Sequence, residues 1–182
     1  MDLPVHINAL PGDEPVFSVD GAFDAPGLNL SHWPGNRTPA GLRHDLSTGI
    51  ALNFARLDEA QRERLAGGCT ALVNNHYDTD GVLAMLTVRS PALALAHEEL
   101  LLAAAATGDL FACPSQHAFV IDRVVTAMAD TARSPIAAEL AGLSDEARWE
   151  RATLEMLERL PNLLKGDVES YRELWAAEWE DL

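Results

Sequence analysis

His76, Asp78 and Asp80 stand two residues apart in the stretch Thr70-Ala71-Leu72-Val73-Asn74-Asn75-His76-Tyr77-Asp78-Thr79-Asp80-Gly81. An imidazole with two carboxylates is a ligand set that hard and borderline divalent cations such as Mn2+ and Mg2+ favour. In an extended chain, this alternation would place all three groups on one side. The apolar run 71–73 before them reads as a buried strand. After Gly81, the residues Val82, Leu83, Met85 and Leu86 read as a helix. In an open α/β sheet, ligands bind at the carboxyl ends of strands, where this group would lie. Such a group has no packing purpose.

Three further candidates lie upstream, also at strand ends or in adjoining loops. Asp20 follows the short β-type run Val16-Phe17-Ser18-Val19, His32 follows Leu28-Asn29-Leu30-Ser31, and Asp45 precedes the helix opened by Ser47-Thr48. Together, Asp20, His32, Asp45, His76, Asp78 and Asp80 would hold one or two divalent ions. Two ions about 3.5–4 Å apart clamp the attacking and leaving oxygens of a displacement, and a shared carboxylate can bridge them. Packing so many acids without a cation would be costly. Each upstream residue also has a bland reading. Asp20-Gly21 is a turn pair, Asp45 suits a helix N-cap, and a histidine in a proline-rich loop is often simply exposed or hydrogen-bonded. His44 reads as solvent-facing, and His97, Glu98 and His117 as helix-surface or packing residues.

The elements that must position these groups alternate between strand and helix patterns. Short strands are expected in the runs 16–21, 28–31 and 71–73. Two prolines and a glycine in His32-Trp33-Pro34-Gly35-Asn36-Arg37-Thr38-Pro39 impose a turn-rich loop. Helices are expected over 45–57, over 57–66 with Gly67-Gly68 as the stop, from 81 to about 88, from Pro91 to about 107, and from Pro114-Ser115 onward. Later helices start at Ser134-Pro135 and Ser144. The expected fold class is α/β, a mostly parallel sheet flanked by helices with a helical C-terminal part. It divides into a loose lead-in over 1–14, an α/β domain over 15–143 and a helical extension over 144–182. The acidic end Glu180-Asp181-Leu182, with no glycine stop, leaves open a longer parent chain.

With 28 acidic against 13 basic residues, the 182-residue chain carries a formal charge of −15. Such a surface repels nucleic acid backbones and anionic membranes, so neither is an expected partner. A small anionic substrate is compatible, because a bound cation inverts the local field. Cys69 and Cys113 have no Cys-x-x-Cys spacing; they read as buried thiols in a reducing cytoplasm. No apolar run approaches the roughly 20 residues of a spanning helix. A homodimer is allowed.

His76-Tyr77-Asp78-Thr79-Asp80-Gly81 resembles the first motif of the DHH phosphoesterase superfamily, a strand ending in His-x-Asp-x-Asp-Gly before a helix. Val16 to Asp20 resembles its lone-Asp strand, and Ser31-His32-Trp33-Pro34-Gly35-Asn36 its Asp-His-His-Pro-x-Asn loop. Asp45 with Ser47-Thr48 resembles its last motif. The order is permuted, Ser31 stands in place of the first Asp, and Trp33 in place of the second His. The stretches Leu30 to Pro39 and Asn75 to Gly81 are similar, more closely, to an uncharacterised DHH-like domain family that shares both. The resemblance implies a divalent-metal-dependent hydrolase with Mn2+, or another divalent ion such as Mg2+ or Fe2+. It would cleave a phosphoester or related bond of a small, anionic molecule through a metal-activated water. Asp80 and His76 are the expected catalytic members, and Trp33, Asn36 and Arg37 the expected substrate contacts. The alternatives are metal-dependent chemistry on a non-phosphate metabolite, or a non-catalytic metal-binding or interaction module.

Overall fold

The computed structural model describes residues 3–21 and 23–182. Four short strands, β1 (Val5–Ile7), β2 (Val16–Val19), β3 (Gly27–Leu30) and β4 (Leu72–Asn74), form one sheet in the order β1-β4-β2-β3. Every pairing is parallel. The fold is α/β, as the alternating patterns imply.

The pleat sorts the strand residues by face. Val5, Ile7, Phe17, Val19, Leu28, Leu30 and Leu72 join the main core with the helices. Val16 and Val73 point the other way and form a small cluster with Ala25, Ala71 and Phe23, all strand or loop residues. The short connection between β2 and β3 covers that second face through Phe23 and Ala25.

Two helices lie at the centre of the main core. All residues but Asn53 of α1 (Ser47–Ala55) and all but Arg89 of α3 (Thr79–Arg89) are buried. A helix enclosed on all sides must be apolar nearly all round, and these two pack against each other. The surface helix α2 (Glu59–Ala66) buries no residue and is started by a capping box between Asp58 and Gln61. The single helix expected after Pro91 is two, α4 (Pro91–Ala96) and α5 (Glu98–Leu110), broken at His97. Then follow α6 (Gln116–Met128), α7 (Ala137–Leu140), α8 (Asp145–Leu164) and α9 (Arg172–Glu180).

Two boundaries differ from the sequence reading. The segment 1–14, expected as a loose lead-in, supplies β1, whose Val5 and Ile7 are buried; Met1 and Asp2 lie outside the described residues. The C-terminal helices are no separate unit. Met156, Leu160 and Leu163 of α8 and Trp175 of α9 belong to the same core as the strands, and α8 packs on β1. The thiols differ as well: Cys113 is exposed and Cys69 half-buried. Among the described residues, no helix is long and apolar enough to cross a membrane.

Candidate metal centre

Neighbouring strands of a parallel sheet end on the same edge, and this sheet brings together the ends of β3, β2 and β4. Asp20 lies one residue beyond β2, His32 two beyond β3, and His76 two beyond β4. The N-termini of α1 and α3 reach the same edge. Asp20 adopts a left-handed backbone (φ 51°), tolerated by Asp better than by most residues. Gly81 leaves room for it. A Cβ there would come within 2.3 Å of Asn74 Nδ2 and 3.2 Å of Asp20 Oδ2.

Asp80 and Asp78 are placed by helix ends. The chain leaves the strand conformation at Asn74, so His76, Asp78 and Asp80 do not alternate along an extended segment as expected. Asp78 is the N-cap of α3, with Oδ1 accepting from Gly81 N at 2.8 Å. Asp80, inside the first turn of α3, caps the neighbouring helix instead. Its Oδ2 accepts from Ser47 N at 2.6 Å and its Oδ1 from Thr48 N at 2.7 Å. Helix α1 has no side-chain cap of its own, so Asp80 takes that part across 33 residues of sequence. A carboxylate carries about four acceptor positions, so these two bonds leave Asp80 capacity for a cation.

Six groups converge in two overlapping sets. One ligand atom from each of Asp20, His32, Asp80 and Asp109 lies within 4.8 Å of the others, and the same holds for Asp20, His76 and Asp78. Asp20 belongs to both. Its Oδ1 accepts from Ser47 Oγ at 2.8 Å. Its Oδ2 is buried and lies 3.1 Å from His76 Nε2, which is directed at Asp78 Oδ2 (2.8 Å), so Oδ2 accepts no hydrogen bond. His32 Nδ1 is likewise buried without a hydrogen-bond partner, 3.4 Å from Asp80 Oδ2. Buried polar atoms are normally satisfied. Two orphans in one cluster, one a carboxylate oxygen and one an imidazole nitrogen, fit a divalent cation in donor type and placement.

The neighbours of these ligands orient them. His76 Nδ1 faces Asn75 Oδ1 at 2.6 Å, so Nδ1 carries the proton and Nε2 presents its lone pair to the centre when the ring is neutral. His32 N donates to Ser47 Oγ at 3.2 Å, tying the end of β3 to the start of α1.

The electrostatics are those of acids crowded away from water. Burial pushes the Asp20 carboxyl up to about 7, with Asp78 and Asp80 adding to the shift. Burial also raises Asp109, to about 6, with Asp80 and Asp78 as further causes. Burial would lower His76, but its contacts with Asp20 and Asp78 outweigh it and hold the imidazole up at about 10. For Asp78 burial pushes upward, but the bond to His76, its positive charge and the Gly81 amide together outweigh that, and the carboxyl falls below its usual value. His32 is raised, chiefly by Asp80.

Of the six ligands expected from sequence, five come together and Asp45 does not. Asp45 is exposed, and the N-cap position of α1 is Leu46. The strand-end logic fails there because Asp45 precedes a helix whose N-terminus is already occupied by Asp80. Trp33 lies at the centre, its indole 5.2 Å from the His76 ring and stacked on His32. Asn36 and Arg37, expected as substrate contacts, are engaged elsewhere. Asn36 Nδ2 donates to Trp33 O, and the Arg37 guanidinium donates to Phe23 O and Ala25 O. His44 Nδ1 accepts from Leu46 N, and His117 Nε2 lies 2.7 Å from Leu163 O.

Asp109 is the candidate ligand the sequence reading missed. It sits in the last turn of α5, where a carboxylate opposes the helix dipole, directly after a glycine inside the helix. Those two locally unfavourable choices side by side were its signal. A Cβ on Gly108 would lie 3.0 Å from Asp122 Oδ1 and 3.2 Å from Thr79 Cβ. Glycine therefore lets α5 close on the start of α3, carrying Asp109 Oδ2 to within 3.6 Å of His32 Nε2. Beneath, Thr79 Oγ1 donates to the buried Asp122 Oδ1 at 2.6 Å, anchoring the turn between Asp78 and Asp80 to α6.

No curated protein and no solved structure matches the chain. Residues 9–182 match the family of unknown function DUF6687, and since that match spans nearly the whole chain, the protein belongs to this family.

Proposed function

We propose that the protein is a divalent-metal-dependent hydrolase whose centre would hold one or two ions, with Asp20 common to both candidate ligand sets. The observation that carries this reading is the pair of ligand sets sharing Asp20, with Asp20 Oδ2 and His32 Nδ1 buried and without hydrogen bonds between them. His32, Asp80 and Asp109 would hold one ion with Asp20, and His76 and Asp78 the other. The DHH-like pattern of His76, Asp78, Asp80 and Gly81 adds support by analogy. Mn2+ suits the mix of carboxylate and imidazole, with Mg2+ and Fe2+ as the other fitting ions.

Bound there, a divalent cation supplies Lewis acidity, making a water acidic near neutral pH and polarising the bond to be broken. The chain's own residues do the positioning. Ser47 fixes one oxygen of Asp20 and leaves the other free to face the centre. The amide groups of Ser47 and Thr48 fix Asp80, and Asn75 fixes the tautomer of His76.

A second reading, chemistry on a non-phosphate metabolite, is favoured by one observation. Arg37, the residue best suited to fork a phosphate, spends its guanidinium on backbone carbonyls. One assay separates the two readings. Protein loaded with Mn2+ is offered bis(p-nitrophenyl) phosphate and p-nitrophenyl acetate, with and without chelator. Chelator-sensitive release of p-nitrophenolate from the phosphodiester supports the first reading, and release from the acetate alone supports the second. Loaded protein that cleaves neither argues against a hydrolase.

A further inference from the structure

The loop over 31–38 spends nearly all its polar groups on itself. Thr38 Oγ1 donates to Ser31 O (2.7 Å) and accepts from Ser31 N (2.9 Å), while Ser31 Oγ accepts from Trp33 N (3.1 Å). Asn36 Nδ2 donates to Trp33 O (2.7 Å), Asn36 Oδ1 accepts from Thr38 N (3.1 Å), and Arg37 N donates to Asn29 Oδ1 (2.8 Å). Bonds of this density make the loop rigid. The two side chains it leaves uncommitted are His32, at the centre, and Trp33.

Trp33 is held with 42% of its surface in water. Its ring is nearly parallel to His32 (9°, centroids 6.4 Å apart) and tilted over His76 (5.2 Å). One indole therefore lies against both imidazoles, each of which belongs to a different ligand set. An indole held with part of its face in water is open to a ligand on that side. The segment delivering Asp109 is of the same character. It runs directly into Leu110 and Phe111, 58% and 94% exposed, and Phe111 takes the left-handed position (φ 52°) that usually falls to glycine. The surroundings offer aromatic and apolar surface where a cation was expected, because Arg37 is tied to carbonyls.

We propose that Trp33 determines substrate specificity by stacking on a planar ring carried next to the substrate's metal-binding group. The substrate class is then aryl or heteroaryl, and a bare inorganic anion is a poor fit. The inference rests on the metal centre proposed above, and deepens it by naming what is recognised beside the metal.

Acetohydroxamate and benzohydroxamate share one chelating group and differ in the ring, so they isolate the stacking. Both are titrated calorimetrically into Mn2+-loaded protein. Benzohydroxamate binds wild type about tenfold more tightly, the effect of one good aromatic contact. Trp33→Ala reduces that preference to within about twofold, and Trp33→Phe restores most of it. Equal affinity of wild type for the two compounds, or an undiminished ring preference in Trp33→Ala, overturns the stacking. Protein that takes up no Mn2+ overturns the metal centre itself and the inference with it, a result separable from the others by metal analysis of the same sample.

Discussion

Asp20→Asn is the sharpest perturbation of the centre, because this residue alone belongs to both ligand sets. The amide keeps the size of the side chain and an oxygen for the Ser47 hydroxyl, and removes the charge. In metal-free protein, that charge is a burden. A carboxyl raised from 3.8 to about 7 contributes stability that is fully present below about pH 4 and lost as pH rises through 7. The loss approaches roughly 4 kcal/mol at pH 8, at 1.4 kcal/mol per pKa unit. That figure already includes the opposing pull of the protonated His76, which the variant leaves with Asp78 alone. Chelated Asp20→Asn protein at pH 8 should therefore melt at or above the temperature of chelated wild type.

Added metal should reverse the order. A divalent ion at 100 times its dissociation constant stabilises wild type by about 2.7 kcal/mol. For a chain of this size that is a rise of roughly 5–11 °C. The variant, short of a ligand in both sets, should gain little. Scanning calorimetry of both proteins at pH 8, with chelator and then with a Mn2+ series, reads all four states, and elemental analysis counts bound ions. A metal-induced rise in Asp20→Asn equal to that of wild type would refute the shared-ligand argument. So would a chelated variant several degrees less stable than chelated wild type, since Asp20 would then be a structural asset without metal.

Two further outcomes follow from the geometry. His76, held protonated up to about 10 in the metal-free protein, must lose its proton to bind a cation, and the raised His32 and Asp20 add to it, so metal uptake at pH 7.5 should release at least one proton per chain and tighten as pH rises toward 10. Calorimetry in buffers of different ionisation enthalpy measures this release, and pH-independent uptake would contradict it. Asp109→Asn should weaken metal binding by about 10–100-fold, a cost typical of disturbing a metal's ligand environment, whereas Asp45→Asn should leave binding and melting temperature within error of wild type. Equal effects of the two substitutions would return Asp45 to the centre.

The readable parts of this centre were those in which chemistry and local pattern coincide. Asp20, His32 and His76 each follow a short apolar strand, and a parallel sheet makes that position meaningful. Asp78 and Asp80 were recognisable by type, though as ligands on an extended segment. The helix starting at Thr79 gave them different directions, Asp78 toward His76 and Asp80 toward the amides of α1. Asp45 has the right type and the right neighbours in sequence, yet lies outside the cluster. Asp109 has neither and lies inside it, because the close approach of α5 at Gly108 depends on packing between helices distant in sequence.

The sequence by itself determined the class of fold and supplied the residue types able to hold a cation. The strand and helix periods are local properties, and an imidazole-carboxylate pattern after a strand favours metal wherever the chain goes next. Only the tertiary structure decided membership. Strand order set β2 between β4 and β3, which made Asp20 the shared ligand. Helix packing brought Asp109 into the cluster and left Asp45 in solvent, and the loop that presents Trp33 is braced by Asn36 and Arg37. Each of these depends on contacts between residues far apart in the chain, and no window of sequence contains both partners.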